Sequence, residues 1–503
     1  MLGDKISPVL LVSLFSITTL SLASLKLPSF FSDHMVLQRE EKIRVWGLAS
    51  PGEKISVELG GNKAETKANA QGHWQVELPK MKAGGPYELK VKGEKEKIVL
   101  KDVYIGDVWI ASGQSNMWWP VSESLNAEQE IASANYPLIR LLQVPAKWSR
   151  KPEWDIECKW EVCSPETVKG FSAVAYFFAR ELYKQLNIPL GIIHSSVGGT
   201  PAEAWTSEMT LRSNPELKHL LELWSKYDEQ LKKWNEEKEK AKKEGKPEPQ
   251  PPTAPFGIGW DWAEFWRPAN LFNAMIAPFT RFPLKGAIWY QGESNVGRAK
   301  EYSILFPAMI VDWRKHWGIG DFPFLFVQLA NFMQVHPEPT ESGWAELREA
   351  QTAALKLPNT GMAVAIDIGD ANDIHPKNKQ DVGKRLALNA LAVAYGKKVE
   401  YSGPVFQKMV IEGNKIRLYF THTDGGLVCK GEKLKGFAIA GEDKKFRWAE
   451  GKIEGDTVVV WNNEIAHPVA VRYAWADNPE CNLYNKAGLP AVPFRTDIPD
   501  YMK

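Results

Sequence analysis

The sequence predicts an α/β chain: a doubly wound parallel sheet flanked by N-terminal and C-terminal β-sandwich-like modules. Three observations predict it. Short, almost wholly apolar runs alternate with helix-period segments through the middle of the chain. A stretch of strict period-two alternation precedes them, and period-two patterning returns after them. At 503 residues the chain is too long for one core, so separate modules are expected.

The first two dozen residues read as an export signal, assigned to 1–24. Lys5 gives a positive start, Pro8 to Leu22 is apolar, and Ser21-Leu22-Ala23 offers small residues for cleavage. From 25 to 100, Ile55, Val57 and Leu59 share one strand face, as do Trp74, Val76 and Leu78, and Tyr87, Leu89 and Val91. Gly and Pro separate these runs, as in a small β-sandwich. From 101 to 400 the apolar runs are Val108–Ala111, Pro189–Ile193, Gly286–Tyr290, Phe322–Leu329 and Met362–Ile368. Intervening helices repeat apolar residues at Phe171, Val174, Phe178, Leu182 and Leu186, and at Val382, Leu386, Ala390 and Val393.

A helical insertion is expected at about 210–260. Asn214 caps it, Pro215 suits its first position, and Leu217, Leu220, Leu221, Trp224, Tyr227, Leu231 and Trp234 form its apolar stripe. The Lys/Glu run and the Pro-rich Lys246–Pro252 beyond it read as a solvated arm and loop. From 401 to 503, Ile416, Leu418 and Phe420 alternate, Thr457–Trp461 is a β-branched run, and Pro468–Trp475 reads as a further strand.

Composition excludes some functions. The 62 basic and 61 acidic side chains leave a formal charge of +1, without the basic surplus of a nucleic-acid binder. No stretch beyond the leader is long and apolar enough to span a bilayer, so no membrane association is expected after its cleavage. Four cysteines fit an oxidising compartment; Cys158 and Cys163 are close enough to pair, and Cys429 and Cys481 offer a second bridge. The 21 tryptophans mostly fill cores, but indole faces also suit sugar C–H surfaces.

Ligands of open parallel sheets bind beyond the carboxyl ends of the strands, so the residues after each run matter most. They are Ser112-Gly113-Gln114-Ser115-Asn116-Met117, then Ser195-Ser196-Val197-Gly198-Gly199-Thr200, then Gln291-Gly292-Glu293-Ser294-Asn295, then Asp367 and Asp370 leading to Asn372-Asp373-Ile374-His375-Pro376. Together they contain the parts of acyl transfer. A serine hydroxyl needs an imidazole to accept its proton, which proposes Ser115 as nucleophile and His375 as base. His194, inside an apolar strand, reads as structural, and His336 is a second rim histidine. An oxyanion needs donors already in place; the Ser115 and Gly199 N–H groups and the Gln291 carboxamide are the candidates. Glu293 reads as a brace for its loop.

These residues resemble the sialate O-acetylesterase-like family of the SGNH hydrolase superfamily. The resemblance runs through most of the chain: Phe31-Ser32-Asp33-His34-Met35-Val36-Leu37-Gln38-Arg39, Gly113 to Met117, Gly198-Gly199-Thr200, Gln291 to Asn295, Asp373-Ile374-His375-Pro376, Leu483-Tyr484-Asn485 and Gly488-Leu489-Pro490-Ala491. It implies a serine esterase that removes acetyl groups from carbohydrates through an acyl-enzyme, with Ser115 and His375 catalytic, no metal and no organic cofactor. The superfamily's Asp-x-x-His is altered here, with Asn372 three residues before His375. Asp373 is the candidate acid, Asp370 the reserve, and a Ser–His dyad the third arrangement. Trp118 stands where relatives often carry Glu; with Trp119 and Asn295 it is a candidate for substrate contact. The expected partner is an acetylated carbohydrate and the expected location secreted or periplasmic. An acetylxylan-type esterase and a non-catalytic sugar-binding protein are the alternatives.

Overall fold

A computed structural model describes residues 24–499. The expected leader lies almost wholly outside these residues.

A 17-residue strand, Lys97–Gly113, organises the molecule. Its first half pairs antiparallel with Gly84–Lys92, and Val36–Gln38 pairs parallel with its middle. Gly84–Lys92 in turn pairs with Lys54–Leu59, and Lys54–Leu59 with Asn62–Lys67. Ile43–Leu48 pairs separately with His73–Leu78. The alternating residues Ile55, Val57, Leu59, Trp74, Val76, Leu78, Leu89 and Val91 are all buried, while Tyr87 packs against that core half-buried. Alternation becomes burial because successive strand side chains point to opposite faces.

The second half of the same strand enters the α/β sheet, so the expected join near residue 100 falls within one continuous strand. There the order is Thr360–Val364, Phe324–Gln328, Gly286–Tyr290, Lys97–Gly113, Leu190–Ser196, Tyr136–Gln143 and Trp160–Cys163. All neighbours are parallel except the last pair. Five of these strands overlap the apolar runs of the sequence. Tyr136–Gln143 escaped that reading because Pro137 and Arg140 interrupt its apolar residues. Arg140 is nevertheless buried, since it donates to Asp102 at 2.5 Å and lies over the Tyr104 ring.

Helix Ala173–Leu186 packs on Lys379–Val393, and Ala299–Trp317 packs on Gly343–Thr352. The insertion differs from expectation at its start. Asn214 ends the helix Glu208–Ser213, and its side chain accepts the Glu216 N–H in a turn; the long helix runs Lys218–Glu244. The apolar stripe is as read: Leu217, Leu220, Trp224 and Tyr227 are buried.

The C-terminal strands form two four-stranded sheets and a two-stranded pair, Leu427–Cys429 with Leu483–Asn485. Val405–Glu412, Lys415–Thr421, Thr457–Trp461 and Glu450–Glu454 make one; Arg447–Trp448, Phe437–Ala440, Ala470–Tyr473 and Phe494–Arg495 make the other. The fully buried Arg348 joins this part to the α/β sheet by donating to the carbonyls of Leu329 and Ala330 on one side and Ala476 and Asp477 on the other.

The cysteine expectation is corrected. Cys158, Cys163, Cys429 and Cys481 are all free thiols. Cys158 turns to the Ile156 carbonyl and Cys163 toward that of Ala134, so neighbouring sequence positions do not bring their sulfurs together. Cys429 faces Gly431 and Asn482, whereas Cys481 lies half-buried beside Tyr473.

Candidate active site

The central strand ends at Gly113, whose φ of 138° lies in the region that favours glycine. A Cβ there would stand 2.1 Å from the Tyr290 carbonyl oxygen, so only glycine lets the two strands close at this level. Gln114 is buried; its N–H donates to Tyr290 O, and its Oε1 accepts long bonds from the Gly292 and Ser294 N–H groups. Ser115 then opens a one-turn helix, Ser115–Trp118, so its N–H belongs to the first-turn donors that have no partner within the helix. Gly198 and Gly199 follow the neighbouring strand. A Cβ on Gly198 would contact Ser115 Cβ at 3.4 Å, and Gly199 turns with φ 65° into open space.

The decisive distance is short. His375 Nε2 lies 2.9 Å from Ser115 Oγ across 260 residues of sequence. Asp373 Oδ1 accepts the His375 backbone N–H at 2.8 Å and lies 3.4 Å from Nδ1 of the same ring. Asp370 instead accepts the Asn372 N–H. Trp119 stacks on the imidazole, with centroids 4.7 Å apart and planes 17° from parallel. Trp118, beside it, is exposed.

The loop bearing His375 is held from behind by the C-terminal strands. Tyr484 donates to Asp367, which also takes both Arg385 amines. The Gly369 N–H donates to Asn331 Oδ1, and Asn331 Nδ2 donates to Asn478 Oδ1.

Two expected contacts have another geometry. Gln291 is fully buried, and its Nε2 donates to Asn295 Oδ1 at 2.6 Å and to Thr200 O at 3.3 Å. Asn295 is fully buried as well, donating to Glu203 and accepting the Ala202 N–H, so it braces the loops beneath the surface instead of facing a substrate. His194 is sealed inside its strand between Gln143 and Ser196, and burial lowers its pKa to about 3. His336 sits apart, 3.8 Å from Asp477.

A trio unnoticed as such in the sequence lies under the Ser–His pair. Lys379 Nζ donates to Asn116 Oδ1 at 2.5 Å, and Asn116 Nδ2 donates to Glu293 Oε1 at 2.6 Å and to Ile374 O at 3.0 Å. One amide thus links the neighbour of Ser115 to the neighbour of His375. Lys379 is fully buried, with the Trp119 and Tyr290 rings near its ammonium, and burial brings its pKa down to about 7. Burial pushes the Glu293 carboxyl above its usual range, and Glu293 Oε2 has no partner among the described residues. For His375, burial first and the Lys379 charge second hold the imidazole below its ordinary value. The available signal was the spacing Lys379, Val382, Leu386, which puts this lysine on the apolar face of its helix.

A hydroxyl hydrogen-bonded to a half-buried imidazole, with a carboxylate at the far nitrogen, is the arrangement of a serine hydrolase. The family model for carbohydrate esterase, sialic acid-specific acetylesterase, matches residues 105–245 and 257–392. The chain belongs to this family. It is a carbohydrate esterase. Sialate O-acetylesterases of Pongo abelii and Homo sapiens are each 33% identical to it, with 94% of this chain and 92% of theirs aligned. A carbohydrate acetylesterase from Xanthomonas citri has a solved structure that superposes with a TM-score of 0.82 at 40% identity, covering 94% of this chain and 100% of that one.

Proposed function

We propose that this carbohydrate esterase removes O-acetyl groups from sialic acids by a Ser115–His375–Asp373 mechanism. The observation that carries the reading is the 2.9 Å contact between Ser115 Oγ and His375 Nε2 at the rim of the sheet. His375 accepts the hydroxyl proton as Ser115 Oγ attacks the acetyl carbonyl. The tetrahedral oxyanion is met by the N–H groups of Ser115 and Gly199. As the C–O bond breaks, His375 returns the proton to the departing sugar oxygen, leaving an acetyl-serine. Water, deprotonated by the same imidazole, then releases acetate and restores Ser115. Asp373 orients the imidazole and stabilises its protonated form. Gln291 serves this site as a brace; it becomes a third donor only by giving up its longer bond to Thr200. Trp118 and Trp119 form the wall against which the sugar rests.

The sialate assignment is drawn from the relatives' names. Lys5 and the apolar stretch to Leu22 support export, so the enzyme is placed outside the cytoplasm in this reading. No helix among the described residues is long and apolar enough to cross a membrane.

Acetate release from O-acetylated sialosides and from acetylated xylo-oligosaccharides tests the substrate directly. The reading predicts faster release from sialosides, abolished in Ser115→Ala. Preferential release from xylo-oligosaccharides would replace sialate with plant polysaccharide, and release unaffected by Ser115→Ala would remove the mechanism.

A further inference from the structure

Five exposed aromatic side chains lie on the rim loops or on loops tied to them. Trp118 follows the central strand and Trp148 follows Tyr136–Gln143; Phe256, Trp260 and Trp262 lie beyond the long insertion helix. Trp260 is the most open, at 62%. Phe256, Trp260 and Trp262 fall within seven residues, and aromatic rings left in water together on a loop mark a binding surface more often than chance.

Bonded contacts tie this aromatic series to the catalytic loops. Gln291 holds Asn295, Asn295 holds Glu203, and Glu203 takes Arg298 at 2.7 Å. The Arg298 guanidinium lies 4.1 Å from the centroid of the Phe256 ring. Phe256 has φ 63°, a left-handed backbone that a bulky side chain rarely adopts. Trp262 stacks on Phe265 at 4.6 Å. The next residue but one from Trp262, Glu264, takes Arg150 at 2.6 Å, and Arg150 lies two residues beyond Trp148. Phe256 and Trp262 therefore each have one ring face backed by protein while the residue stays 41% exposed.

We infer that these loops form a platform for successive pyranose rings of an acetylated oligosaccharide, extending the substrate site beyond the sugar that bears the ester. The inference rests on the carbohydrate-esterase reading. Aromatic faces pack against the C–H faces of sugars. The flanking charges Arg298, Arg150 and Glu264 are each in ion pairs, and the exposed Asp261 between Trp260 and Trp262 adds a negative charge, so the platform suits uncharged rings over a polyanion.

The test is a length series. The enzyme would be assayed on the acetylated sugar it cleaves fastest, presented as a monosaccharide and within oligosaccharides of increasing length, with 4-nitrophenyl acetate as a substrate that reaches only the ester site. The expected result is a kcat/KM that rises with length, and a Trp260→Ala/Trp262→Ala variant that loses about fivefold or more on long chains through KM. The same variant should match the parent on 4-nitrophenyl acetate; because both residues are exposed, it also retains its fold. A Trp148→Ala variant should show a smaller loss of the same kind. Equal rates on all lengths in the parent enzyme, or an undiminished length effect in the variants, would overturn the platform. Activity on 4-nitrophenyl acetate with none on any acetylated sugar would instead overturn the carbohydrate reading itself.

Discussion

Asp373 holds His375 twice, through the backbone N–H at 2.8 Å and beside Nδ1 at 3.4 Å. A carboxylate in that position sets both the place and the tautomer of the base. Asp373→Asn should therefore lower kcat by about 100-fold or more with little change in KM. Asp370→Asn, which disturbs only a local turn at Asn372, should cost less than about threefold. Steady-state kinetics of the two variants decides between them, and equal losses would contradict the assignment.

The buried Lys379 and Glu293 should be visible in the pH profile. In the proposed mechanism His375 must be neutral to accept the serine proton, so activity is expected to fall as pH drops through its pKa, which lies below the ordinary imidazole value. Lys379 disfavours the imidazolium, while Asp373 and Glu123 favour it. Lys379→Met should thus move the acid limb of kcat/KM to higher pH, and Glu293→Gln, which removes the charge that raises the Lys379 pKa, should move it the same way by less. Superimposable profiles in both variants would show that the trio has no electrostatic hold on the base.

How much of this was legible is clearest at the loops. Ser115, Gly199 and His375 could be named as candidates because each follows an apolar run that reads as a buried strand. The strand Tyr136–Gln143 was not found, since Pro137 and a buried arginine hide its apolar character and only the Asp102 partner explains the burial. Residue type also cannot separate a donor from a brace: the carboxamides of Gln291 and Asn295 suit either role, and their mutual hydrogen bond appears only in three dimensions. By type Lys379 is one more charged residue of a helix; its ammonium is satisfied by Asn116, which lies 263 residues away.

Gly113 leaves no room for a side chain. With Tyr290 O 2.1 Å from an added Cβ, Gly113→Ala must part the two central strands and move Ser115. A loss of roughly 3 kcal/mol or more in stability is expected, together with loss of activity, read by denaturant unfolding and ester hydrolysis. A stable, active variant would contradict the close approach.

The cysteines should behave as thiols. Burial pushes Cys158, Cys163 and Cys481 up to about 12, so they should react slowly with a disulfide reagent in the native protein, and Cys429, less buried, should react first. All four should titrate after unfolding in guanidinium without reductant. A count lower by two would establish a bridge.

The central claim is that His375 activates the Ser115 hydroxyl. Labelling with a fluorophosphonate, followed by peptide mass mapping, addresses it at the atom concerned. One adduct is expected, on the peptide containing Ser115, and it should be nearly absent in a folded His375→Ala variant. Labelling of another residue, or equal labelling of Ser115 without His375, would contradict the account.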